Sequence, residues 1–176
     1  MAKIAFSKLN AKVNTEIKSI EVGEDKIIEV RQYLPVSDKL TMIGKIIEFA
    51  HDPDINYANT LKTEVYLVIE ILDAYTNITF TDKQKEDPAK LYDMLMGADW
   101  FNSVWEAIPV EEIMTIRANL AKTQMAIYDY RSSVLGILDT IQTDYSDLDL
   151  NITELQQKLA NGENIELVKN IMSQLG

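Results

Sequence analysis

The hydrophobic period of this chain changes at Pro35, and that change limits the folds open to it. In "KIIEVRQYL" (residues 26–34) Ile28, Val30, Gln32 and Leu34 occupy alternate positions, with Glu29 and Arg31 between them. Alternation of this kind suits a half-buried strand, with Gln32 interrupting its apolar face. Pro35 lacks an N–H and ends the strand. Upstream, "EIKSIEV" (16–22) reads as a second strand and "GED" (23–25) as the turn between them, with Gly23 able to take a positive φ. The pattern predicts an antiparallel hairpin over residues 16–35, preceded by a loose arm over 1–15. An isolated hairpin is marginal in water, so this one needs a support, and the helix that follows is the expected one.

Beyond Pro35 the apolar spacing becomes helical. Ser37 is the expected N-cap of a helix whose stripe is Leu40, Ile43, Ile47 and Ala50, widened by Met42, Ile46 and Phe49. "HDPDIN" (51–56) breaks it. The segment from Thr60 to Tyr75, with Leu61, Val65, Val68, Leu72 and Tyr75 on one stripe and Tyr66, Ile69 and Ile71 around it, is the expected central core helix. "TNITF" reads as a connector and "TDKQ" (81–84) as a capping box. Asp87, Pro88 and Gly97 supply a cap, a first helical residue and a stop. "ADWFNSVWEAIP" forms a short amphipathic helix, and Pro109 opens the longest one, expected to reach about Gln142 along Ile113, Ile116, Leu120, Ile127, Val134, Leu138 and Ile141. An acidic link then leads to a C-terminal helix pair over 151–175. The expectation is a mainly α, bundle-like single domain over 1–176, with its helical core at 37–142 and an N-terminal β-hairpin.

Composition removes several classes of function. With 28 acidic and 17 basic side chains the net charge is -11, which disfavours direct contact with nucleic acid. The chain has no cysteine, so disulfides, thiolate metal sites and thiol nucleophiles are excluded. No signal peptide is evident, and the most apolar run, residues 65–75, carries Glu70 and Asp73 and is too short to span a bilayer. A soluble, intracellular chain without a membrane partner is expected.

No catalytic signature stands out. His51, with Asp52 and Asp54 beside it, has the residue types for proton transfer, but a histidine ending a helix before a turn explains the same residues. Asp147, Asp149 and Asn151 begin like a calcium loop, then place Ile152 and Lys158 where glycine and glutamate belong. Asp52, Asp54 and Asn56 fail in the same way at Tyr57 and Thr63. Phosphate-loop, dinucleotide, nucleophile-elbow and zinc-helix patterns are missing, and Ser132 and Ser133 have no histidine to activate them. No enzyme, cofactor or metal is therefore expected. Two features suit partner binding instead. One is the hairpin edge, represented by Ile28, Val30 and Leu34, because open strands template pairing. The other is the aromatic stripe Trp100, Phe101 and Trp105, which serves either as core or as a docking ridge.

"EVRQYLPVSDKL" (29–40), "FTDKQKEDPAKLYDMLMG" (80–97), "AIP" (107–109) and "GILDTIQTDYSDL" (136–148) resemble small proteins from the structural-gene clusters of tailed bacteriophages that infect low-GC Gram-positive bacteria. Within such clusters the size, acidity and front hairpin are most similar to tail assembly chaperones. That resemblance implies binding to tape-measure and tail-tube proteins in the host bacterial cytoplasm, self-association, and absence from the mature virion. It transfers no individual binding residue. A head–tail connector, neck or capsid-associated ring component that stays in the virion is the alternative, and a small inhibitor of a host enzyme the third. Removing residues 1–35 is expected to abolish partner binding or self-assembly while leaving most of the helicity intact.

Overall fold

The hairpin forms where the alternation places it. The computed structural model describes residues 3–23, 26–52, 57–133 and 136–137. Strands β1 (Ile17–Glu21) and β2 (Ile27–Arg31) pair antiparallel, with Ile17 opposite Arg31 and Ile20 opposite Ile28. Gly23 takes φ 71°, a left-handed conformation that side chains with a Cβ resist. Hydrogen bonds from Val22 N–H to Lys26 O (2.7 Å) and from Gln32 N–H to Glu16 O (3.0 Å) extend the ladder beyond both strand ends. Ile28 and Val30 point inward, and Leu34 is buried past the end of β2. Gln32 does not break the inner face. Its Nε2 donates to Ala107 O (3.0 Å) and Val30 O (3.2 Å), so a polar side chain crosses the apolar layer with its donors satisfied.

Helix α1 (Val36–Ala50) starts directly after Pro35, and Ser37 is not its cap. Pro35 is extended and its carbonyl accepts from the N–H groups of Asp38 and Lys39, which puts Ser37 inside the first turn, where its hydroxyl donates to Asp38 Oδ1 (3.1 Å). The buried stripe is Met42, Ile43, Ile46 and Ala50; Leu40 is 65% exposed and Ile47 half-buried. Both candidate stripes satisfy helical spacing, and the face turned to the next helix decides between them.

The breaker after α1 is a small hairpin of its own. Strands β3 (His51–Asp52) and β4 (Tyr57–Ala58) pair antiparallel and return the chain to α2 (Thr60–Tyr75). Asn59 caps α2, its Oδ1 accepting from the N–H groups of Leu61 (3.0 Å) and Lys62 (3.1 Å). Val65, the run from Leu67 to Leu72, and Tyr75 are buried, which makes α2 the core helix that its apolar circumference predicts. It packs on α1 and on α4. Its first turn is the exception, with Leu61 72% exposed.

Helix α3 (Asp82–Lys85) starts in the expected Thr81–Gln84 capping box. Helix α4 (Pro88–Met96) is capped by Asp87 with Pro88 in its first turn. Gly97 ends α4 at φ -83°, without a left-handed residue. Helix α5 (Phe101–Ala107) follows, and then α6 (Val110–Arg131).

Helix α6 stops at Arg131 and does not continue to residue 142, and Ser133 supplies the reason. Its N–H (3.0 Å) and its hydroxyl (2.5 Å) both donate to Tyr130 O, and its Oγ accepts from Gly136 N–H (3.2 Å). The same hydroxyl thus closes one helix and caps the turn that follows. Gly136 then lies against the backbone of Tyr130 and Arg131 so closely that an added Cβ would stand 2.2 Å from Tyr130 O. The chain divides into two compact units, residues 1–124 and 125–176. The expected helix pair over 151–175, the acidic link with Asp147, Asp149 and Asn151, and Val134, Leu138 and Ile141 of the expected α6 stripe lie outside the described residues.

Candidate protein-binding edge

A two-stranded sheet has two outer edges, and the two differ here. In β2 the backbone groups of Ile27, Glu29 and Arg31 face away from β1, because the ladder bonds join the even-numbered pairs Glu16–Gln32 and Val22–Lys26. The residues after α2 occupy that outer edge. Thr76 bridges to Val30, Asn77 N–H donates to Glu29 O (3.3 Å), Glu29 N–H donates to Asn77 Oδ1 (3.1 Å), and Asn77 Nδ2 donates to Ile27 O (3.3 Å). "TNITF" is therefore more than a connector. Thr76 is buried, Ile78 and Phe80 are half-buried, and Asn77 and Thr79 are exposed, a short period-2 signal present in the sequence.

The outer edge of β1 has no such cover. Ile17, Ser19 and Glu21 direct their N–H and C=O groups away from β2, and no strand of the described residues pairs with them. Edge groups of this kind are the template for strand addition by another chain. The side chains of Ile17, Ser19 and Glu21 are also exposed. Lys18 stands on the opposite face and is exposed too, while Ile20 and Val22 pack against the core. Continuous with this edge is the N-terminal arm, which exposes Ile4, Phe6, Leu9 and Val13 to solvent. Within the arm Phe6–Leu9 forms a 3-10 turn with no buried residue.

The six residues singled out by sequence fall into two groups. Ile28, Val30, Leu34 and Phe101 belong to the core. Trp100 and Trp105 are half-buried and pack against it, the Trp105 ring stacked on Phe101 at 5.6 Å and 18°. The fold does bring the hairpin and the aromatic helix together, since α5 packs on both strands. The helix packed most on the hairpin is thus α5, with the exit of α2 along β2, while the expected support α1 packs chiefly on α2 and shares one core cluster with Ile28, Val30 and Leu34. The accessible groups of the hairpin region are the outer β1 backbone and the arm. The sequence points to the hairpin but marks the inward residues of β2, because alternation reports the buried face and is silent about which edge is covered.

At the base of the hairpin lies a polar clasp that no motif announces. Glu112 Oε2 accepts from Leu34 N–H (3.1 Å) and Tyr75 O–H (2.7 Å), while Oε1 accepts from Lys39 Nζ (2.7 Å). Lys39 also stands 4.6 Å from the Tyr33 ring centroid, within cation–π range. Burial alone would raise the Glu112 carboxyl, but the hydrogen bonds from Lys39, Tyr75 and Leu34 outweigh it and hold the group below the usual carboxylate range. Burial, then the hydrogen bond to Glu112 and its negative charge, push the Tyr75 phenol far up. With its three donors all from the chain itself, Glu112 joins the strand exit, α1, α2 and α6, a role of cross-linking. Arg117 and Glu64 add a bidentate pair (2.7 Å each) between α6 and α2.

His51 is the C-cap of α1, its N–H donating to Ile47 O, and it pairs with Ala58 in the small hairpin. Among the described residues no group of three or more histidines, aspartates or glutamates is arranged to hold a metal ion, and no helix is long and apolar enough to cross a membrane. Comparison with family models, with curated proteins and with solved structures finds no match to this chain.

Proposed function

We propose that this protein acts by binding other proteins, without covalent chemistry, through the open edge of β1. The observation that carries this reading is the contrast within one sheet: the β2 edge is covered by Thr76 and Asn77, while among the described residues nothing pairs with the outward backbone groups of Ile17, Ser19 and Glu21 in β1. Each hydrogen bond made by an added strand contributes about 1 kcal/mol net, and the exposed apolar residues of the arm add area beside it. The setting proposed is bacteriophage morphogenesis, with the protein as a tail assembly chaperone for tape-measure and tail-tube proteins. That setting comes from the sequence resemblance alone.

The test combines three measurements. Co-expressed tape-measure protein should co-purify with the chain. Amide exchange at Ile17, Ser19 and Glu21 should slow in the complex. Mass spectrometry of mature virions should find the protein missing. Tape-measure binding that leaves these amides unprotected would reject the β1 edge. Presence in virions without tape-measure binding would transfer the reading to a connector or neck component.

A further inference from the structure

The N-terminal arm and one surface groove are complementary in charge and in apolar character. The arm, residues 1–15, holds three lysines and no acidic residue, so the rest of the chain carries 14 basic and 28 acidic side chains. The arm is therefore the basic segment of an acidic protein. It also exposes the side chains that a soluble segment tends to bury, Phe6 at 75% and Ile4 at 70%. The groove, of about 280 Å³, is lined by Phe49, Tyr66, Ile69 and Pro88 together with three carboxylates, Glu70, Asp82 and Glu86, and one cation, Lys85. Phe49 and Tyr66 stack at 5.1 Å and 23°, a preformed aromatic wall. Two of the cationic neighbours are already engaged, Lys45 with Glu70 and Lys85 with Asp73, both at 3.6 Å. Asp82 and Glu86 make no ion pair among the described residues.

We infer that the arm of one copy seats in this groove of a second copy, its apolar residues on Phe49 and Tyr66 and its lysines beside Asp82 and Glu86. In the single chain every described arm residue up to Glu16 is exposed. Reciprocal exchange buries two arms and two grooves across one twofold axis, the closed geometry commonest among soluble oligomers. Two chains of net charge -11 repel one another, and the lysines of the exchanged arm offset that repulsion where it matters. The groove and the β1 edge are separate surfaces, so arm exchange stands or falls independently of the phage setting.

The absence of cysteine makes the test clean. A Ser7→Cys chain is mixed with an Ala89→Cys chain, whose cysteine stands beside the groove residue Pro88, under mild oxidation, and with an Ala118→Cys chain as the control on α6. All three positions are exposed and none belongs to the apolar contact, so the variants keep both the fold and the groove. The expected result is disulfide formation at least tenfold faster with Ala89→Cys than with Ala118→Cys. Adding Lys8→Glu and Lys12→Glu to the arm chain should slow it about tenfold, and Asp82→Lys with Glu86→Lys on the groove chain should restore it. Sedimentation of the unaltered protein should show a dimer that dissociates as salt rises. Equal rates at the two sites, no rescue by the charge swap, or a disulfide that forms only within a chain bearing both cysteines would overturn the inference.

Discussion

The two strands of the front hairpin are equal in length and opposite in fate. β2 turns Ile28 and Val30 into the core, continues to a buried Leu34, and has its outer edge closed by Thr76 and Asn77. β1 contributes only the half-buried Ile20 to the core from within its span, and no strand of the described residues pairs with its outer edge. The difference teaches that one hairpin can serve as structure on one side and as a surface on the other. Strand β2 holds the fold, and β1 is held by it.

The comparison breaks most visibly under truncation. Removing residues 1–35 takes Ile28, Val30 and Leu34 from the core, each contributing roughly 1.5–3 kcal/mol by burial. The total is comparable with the whole stability of a domain this size, about 5–15 kcal/mol. The helices should therefore melt, in contrast to the sequence-based expectation that they persist. Removing residues 1–15 takes no described core residue, so at concentrations low enough to keep the chain monomeric the thermal midpoint should stay nearly unchanged. Circular dichroism of the two truncations makes the comparison.

The clasp ranks next. Glu112→Gln leaves the Lys39 ammonium, whose side chain is 12% exposed, without its carboxylate, and should cost about 3 kcal/mol in urea unfolding. The pH sign follows from the lowered carboxyl. Its stabilisation is fully present above the unfolded value, about 4.3, and is lost as pH falls through the lower folded value. The unaltered protein should lose stability on acidification below that point, and Glu112→Gln should flatten the slope there. An unchanged slope would show that other carboxylates govern acid unfolding.

Much of the fold was legible in the sequence, and the reasons are particular. Ile28 and Val30 alternate because β2 has one wet face, Gly23 allows a left-handed turn, and Thr81 with Gln84 closes a local capping box. These signals depend on residues near one another in the chain. What stayed hidden depends on distant partners. Asn77 meets Glu29 across 48 positions, Glu112 meets Leu34 across 78, and Gln32 finds Ala107 across 75. The end of α6 was missed for a local reason: Ser133 reads as a tolerable helical residue until its hydroxyl turns back on Tyr130. For the candidate surface, alternation located the hairpin, but only tertiary pairing reveals which edge is covered.

Asn77→Ala tests the seal itself. It removes the acceptor for Glu29 N–H and the donor to Ile27 O while keeping the backbone bond to Glu29 O. These groups are exposed, so water replaces the side chain and the cost should be about 1 kcal/mol by urea unfolding. Exchange of the Glu29 amide should quicken. If β2 edge amides become as labile as those of β1, the side chain of Asn77 is what separates the two edges.

The smallest expected change in stability gives the sharpest separation of the two strands. Ser19→Pro removes an N–H that points away from β2, so no ladder bond is lost, and proline is tolerated on strand edges in such positions. Ser19 is exposed and opposes the exposed Glu29, so little packing changes. The stability cost should stay within about 1 kcal/mol. Lys18→Pro, one residue away, is the matched control. Its N–H faces β2 opposite Val30, and its loss should weaken the hairpin by more than the Ser19 change. Strand addition predicts the reverse order for binding per unit of stability: Ser19→Pro should abolish capture of a β1-edge partner while the fold persists. A Ser19→Pro chain that folds and still binds with unchanged affinity would move the interaction away from the β1 backbone and onto the side chains of the arm.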